Sequence, residues 1–144
     1  MRRYIYKNHT ADVEFVAYGH TLSELFSNAF LAMSGVNADT DALSKSAGKK
    51  ILLKVKDKAP SIETLLWYFL QDILSSSDAK GVYTYMAEEV DVRRHASEFS
   101  FKALLISKNK YSEVSKLDIK GVSRYALSVS KTANGFKANV VLDV

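Results

Sequence analysis

The chain has no cysteine among its 144 residues, which excludes disulfides, thiolate zinc sites and cysteine nucleophiles. Long apolar runs are missing too. The longest, such as Leu65 to Leu70, are far too short to cross a bilayer. Met1-Arg2-Arg3-Tyr4 leads into polar residues, without the apolar stretch of a signal peptide, and a cytosolic protein is the simplest expectation. There is no phosphate-cradling glycine loop, no nucleophile elbow and no HExxH zinc motif. Massed charge is also lacking. The formal net charge is +4, and the lysines are scattered, being densest between Lys108 and Lys120. A charge of this size permits contact with RNA or an acidic partner without requiring either.

What remains is ordinary for a globular protein, with 47% hydrophobic and 25% charged residues. Tyr4 to Tyr6 and Val13 to Tyr18 are aromatic and β-branched and read as strands. Gly19-His20 interrupts, and Thr21-Leu22-Ser23-Glu24 matches a capping box. Leu22, Leu25, Phe26, Ala29, Phe30 and Met33 then follow at helical spacing, with Gly35 as the expected stop. Residues 36–48 are small and polar and read as a surface loop. Ile51, Leu53 and Val55 alternate with Leu52, Lys54 and Lys56, the pattern of a half-buried strand.

Pro60-Ser61 opens a second helix with Ile62, Leu65, Leu66, Phe69, Leu70 and Ile73 on one broad face, and Ser75 to Asp78 should end it. The remainder reads as β structure: Val82 to Val92, Glu98 to Ile106, Ile119 to Ser130 and Phe136 to Asp143. Asn134-Gly135 marks a hairpin, expected as a type I′ turn. The fold class is α+β: a largely antiparallel sheet with two amphipathic helices packed on one face, as a single layered domain over residues 1–144.

Two segments could carry chemistry. Asn8-His9-Thr10-Ala11-Asp12 gathers an imidazole, a hydroxyl and a carboxylate just before a strand. Turn chemistry is one explanation, since these side chains bond to nearby backbone. At the other end, Asp143 and the carboxylate of Val144 lie side by side and repel each other unless solvent or a cation intervenes. If Asp12 joined them, three anionic oxygen groups would suit Ca²⁺, Mg²⁺ or Mn²⁺. The alternative is a frayed, solvated terminus. His9 could be a ligand, a proton carrier or a loop-orienting residue. His20 and His95 lie in no metal spacing, Trp67 reads as core, and Lys120 as a solvated strand lysine.

His9-Thr10-Ala11-Asp12, the helix start Thr21-Leu22-Ser23-Glu24-Leu25-Phe26 and the closing Val140-Val141-Leu142-Asp143-Val144 together resemble the archease family. The second helix, from Ile62 to Trp67, and Lys120-Gly121-Val122-Ser123 extend the resemblance over nearly the whole chain in order. It implies a non-catalytic accessory protein of the RtcB-type tRNA-splicing RNA ligase, promoting ligase guanylylation and multiple turnover. RNA would be met only through the ligase, in the cytoplasm and without a membrane. The resemblance also implies a divalent metal, Ca²⁺ in isolation with Mn²⁺ or Mg²⁺ as alternatives, held by Asp12, Asp143 and Val144. Lys120 matches the family's functional lysine, as a contact to the partner or to a phosphate; His9 and Asp39 are candidate supporting residues.

The chain departs from the family pattern at Glu14, where glycine is usual, and at Arg124-Tyr125, which lacks the family's histidine. The segment from Asn37 to Ser46 diverges as well. Other readings of the same carboxylates are a metal-dependent phosphoesterase or a plain RNA-binding module.

Overall fold

The computed structural model describes residues 1–7 and 12–144. Eight strands and three helices follow the order β1 (Tyr4–Lys7), β2 (Val13–Gly19), α1 (Leu22–Asn37), α2 (Thr40–Lys45), β3 (Ile51–Ala59), α3 (Ile62–Lys80), β4 (Val82–Arg94), β5 (Phe99–Asn109), β6 (Gly121–Val122), β7 (Ser128–Thr132) and β8 (Gly135–Asp143). The α+β class holds, and the strands divide into two antiparallel sheets. One has the order β1-β2-β8, with β6 and β7 on the far side of β8; the other is β3-β5-β4.

The two long helices lie between the sheets. α1 touches β2 and β8 on one side and β4 on the other, while α3 touches β3, β5 and β6. One core therefore runs through all the layers. Phe15, Ala138 and Val140 of the larger sheet, Phe26 and Phe69 of the helices, and Phe101 and Leu105 of the smaller sheet belong to it. Phe69 links the layers, its ring centroid 5.2 Å from Phe26 and 5.1 Å from Phe101. No helix among the described residues is long and apolar enough to cross a membrane.

Local differences from the sequence reading have identifiable causes. Thr21 caps α1 as expected, its Oγ1 accepting from Glu24 N at 3.1 Å. The helix continues past Gly35 to Asn37, because Gly35 makes room for another side chain. A Cβ there would come within 2.8 Å of Tyr6 Oη, which donates to Ala32 O. α3 likewise continues through the serines. Ser77 is buried against Thr84, and the helix stops at Gly81, whose φ of 65° is left-handed.

The expected strand from Ile119 to Ser130 is one sheet edge in two pieces, with β6 and β7 both pairing with β8. It breaks after Val122, whose N–H donates to Gln71 Oε1 and whose carbonyl accepts from Trp67 Nε1, both from α3. The β7–β8 hairpin is present with a different turn. Thr132 pairs with Gly135, so Ala133 and Asn134 form the loop, and no described non-glycine residue has positive φ.

The segment read as a loop contains α2, tied down at both ends. Asp39 Oδ1 accepts from Ala42 N, and Leu43 is wholly buried in a second cluster with Tyr83, Tyr85, Ile106 and Val114. The buried Lys108 donates through Nζ to Leu43 O at 2.6 Å and Ser46 O at 3.0 Å.

Candidate functional site

β2 is the second strand of the larger sheet and β8 its neighbour, in a register that runs from Gly19↔Phe136 to Val13↔Leu142. The small residues at the far end keep this register close. A Cβ on Gly135 would fall 2.2 Å from Gly19 O, and one on Gly19 2.3 Å from Leu25 N. At the near end the ladder closes on Val13↔Leu142, and Asp12 and Asp143 are the next residues of the chain beyond that pair. Strand alternation puts Asp143 on the face that carries Val141, with Glu14 opposite Val141. Phe15, Val140 and Leu142 turn inward and are fully buried. The core thus turns Asp143 outward, where it is exposed, while Asp12, in the bend before β2, is half-buried.

The third strand at this end is β6. Gly121 pairs with Asp143, and Lys120 N donates to Asp143 O at 2.7 Å, which lays Lys120 alongside the last residues. Its side chain is exposed. α3 holds this short strand in place through the Trp67 and Gln71 bonds to Val122. Trp67 is accordingly half-buried against the core with its N–H engaged, and spacing alone does not reveal that anchoring role. Arg124 Nη2 donates to Thr64 Oγ1, while Tyr125, where the family pattern has histidine, is fully exposed.

Of the residues singled out in the sequence, Lys120 and Asp143 are joined by a backbone hydrogen bond, and Asp12 and Val144 adjoin the same strand ends in the chain. Asp39 does not join them. Its carboxylate caps α2, and among the described residues no three His, Asp or Glu side chains gather as a metal site. His9 lies outside the described residues. His20 faces Asn134 O and His95 faces Ser100 Oγ, each away from the site. Glu14 stands across from Lys7 on β1, with Nζ to Oε2 at 3.8 Å, so its charge has a counterion on the same face. The strand end offers hard oxygen groups and no soft ones, beside the exposed Lys120.

Comparison with known proteins adds the family. The model of the Archease protein family (MTH1598/TM1083) matches residues 4–144. Protein archease of Methanosarcina mazei is 36% identical over 145 residues, covering 99% of this chain and 97% of the relative. The Methanosarcina acetivorans protein is 34% identical with the same coverage. The solution structure of Methanobacterium thermoautotrophicum protein 1598 superposes with a TM-score of 0.84 at 25% identity, covering 100% of both chains. With the family model spanning both strands that frame the site, and relatives aligned from end to end, the chain belongs to the archease family.

Proposed function

We propose that this protein is a cytoplasmic, non-catalytic cofactor of an RtcB-type tRNA-splicing RNA ligase, promoting its guanylylation and multiple turnover. One observation carries the reading: the β2–β8–β6 register brings the start of β2, the end of β8 and the start of β6, segments far apart in sequence, side by side, and Asp12, Asp143 and Lys120 belong to or adjoin those ends. That convergence fits a surface offered to a partner. Asp12, Asp143 and the carboxylate of Val144 would hold a divalent cation, Ca²⁺, Mn²⁺ or Mg²⁺, whose charge offsets their mutual repulsion. Lys120, exposed beside them, presents a cation to a phosphate or to an acidic ligase surface.

The test is multiple-turnover ligation by the cognate ligase with and without substoichiometric amounts of this protein. Turnover should rise with the protein present, while the protein alone leaves RNA and nucleotides intact. Lys120→Ala should cut the stimulation about tenfold or more, the worth of one charge-assisted contact. Its stability should change by no more than about 0.5 kcal/mol. Asp12→Asn, and separately a short extension after Val144, should each weaken Ca²⁺ or Mn²⁺ binding in calorimetric titration. Unchanged ligase turnover across a range of protein concentrations would refute the reading.

A further inference from the structure

The outer face of the smaller sheet, turned away from α1 and α3, has two halves. One is covered by α2 and the 3-10 turn at Ser112–Val114. The other is open, and its cross-strand rows follow from the register. Leu52, Ile106 and Met86 form the border row; Lys54, Leu104 and Glu89 the next; then Lys56, Lys102 and Asp91. Lys58 continues the β3 column opposite Ser100. Asp91 is engaged with Arg93 at 2.9 Å. Among the described residues, none of the four ammonium groups of Lys54, Lys56, Lys58 and Lys102 has a carboxylate within ion-pair distance. A groove of about 490 Å³ runs between Lys54, Lys56 and Lys102, lined also by Glu89, Leu104, Val55 and Ala103.

Lysines on an edge strand have an ordinary explanation, since they discourage edge-to-edge pairing. It covers β3 and leaves Lys102 unexplained. Lys102 stands on the central strand, directly opposite Lys56, where like charges destabilise a sheet. A fold selected for stability alone gains nothing from this pair. We infer that the open half of this face is a binding surface for the phosphate backbone of single-stranded RNA, contacted without regard to sequence.

Three features favour that occupant over an acidic protein. Lys54, Lys56 and Lys58 repeat every second residue, about 6.7 Å apart, and so offer an unbroken row of charge to a backbone with a charge on every unit. Lysine meets a phosphate oxygen as a point charge on a flexible stem, without demanding one angle of approach, which suits contact along a flexible backbone. The open rows carry no aromatic ring for stacking bases, hence the indifference to sequence. The face is remote in sequence from the strand end of Asp12 and Lys120, and the inference stands whether or not the ligase reading does. It gives this chain a direct RNA contact, where the family resemblance assigns that contact to the ligase.

The experiment is fluorescence anisotropy of a labelled single-stranded RNA of mixed sequence, titrated with this protein alone across a salt series. Four phosphate contacts should give a log–log salt slope of about −2.8, at about −0.7 per phosphate. Lys56→Gln/Lys102→Gln should halve the slope and weaken binding at low salt roughly tenfold or more. That variant should melt no lower than the parent, because a like-charge pair has been removed. Lys131→Gln/Lys137→Gln, the same charge change on the other sheet, should bind as the parent does. The inference fails if the salt slope is near zero or if the two double variants lose equally. It also fails if the Lys56/Lys102 variant melts well below the parent, or if polyglutamate displaces the RNA at equal charge, which would assign the face to an acidic protein.

Discussion

The covered and open halves of the smaller sheet handle lysine in opposite ways. Lys108, under α2, is 3% exposed, and its ammonium is satisfied by the carbonyls of Leu43 and Ser46 and by Ser46 Oγ, with the Tyr85 ring 5.3 Å away. It stands at the C-terminal end of the short helix, where free carbonyls and the helix dipole both favour a cation. Lys56 and Lys102 stand three rows away on the same face, exposed and directly opposite each other. A buried cation is tolerated where backbone oxygens converge on it. An unpaired exposed cluster is cheap in water, and its purpose has to be sought outside the chain.

Breaking the covered half gives the largest expected effect. Lys108→Met keeps the aliphatic bulk and removes the donors to Leu43 O and Ser46 O, so unfolding should become easier by about 2–3 kcal/mol in urea denaturation. A loss below about 0.5 kcal/mol would show that the buried ammonium holds nothing. Asp39→Ala is the gentler cut at the other end of α2, removing the cap on Ala42 N at a cost of about 1 kcal/mol. Amide exchange should quicken across Thr40–Lys45 with the two sheets unaffected. Its Ca²⁺ titration should match the parent; a weakened titration would make Asp39 a ligand after all.

The smallest effect belongs to the reverse side of the same edge strand. The Asp72 carboxyl on α3 is pushed up to about 6, first by burial and then by the hydrogen bond and charge of Asp57 on β3. The folded state therefore holds more protons than the unfolded state between about pH 4 and pH 6, and stability falls as pH rises through that window. Asp72→Asn should flatten this fall and raise the urea midpoint slightly at pH 7, modestly because the group keeps contact with solvent. An unchanged slope between pH 4 and pH 6 would mean the two carboxyls do not share a proton.

The same contrast explains what could be read from sequence. The faces of α1 and α3 and the alternation in β3 are local periodicities, and Phe26, Phe69, Leu53 and Val55 are buried as that pattern demands. α2 was hidden because a helix of six residues with one buried leucine has no period to detect, and its stabilising lysine comes from β5. The break after Val122 was hidden for a similar reason, its cause lying in Trp67 and Gln71 on α3. At the candidate site, Asp12, Asp143, Val144 and Lys120 were legible through motif resemblance, and the register gives the physical reason that the strand ends next to them lie side by side. Asp39 was visible as a carboxylate, but composition does not distinguish a cap from a ligand. The division into two sheets left no mark in the strands themselves, whose alternation fits either partner.

The pairing of β2 with β8 also has a consequence in time. The smaller sheet and α3 are contiguous between Ile51 and Asn109, so each strand finds its partner soon after it is made. β2 is made before the whole of the smaller sheet and α3, and its partner from Gly135 onward is made after them. At ~5–20 residues per second, a growing chain holds β2 without β8 for on the order of ten seconds. During that interval the apolar face of Phe15 and Ala17 lacks its Ala138–Val140 neighbours. Translation thus delivers the helices and the smaller sheet as a template, and the larger sheet closes over it in a final step.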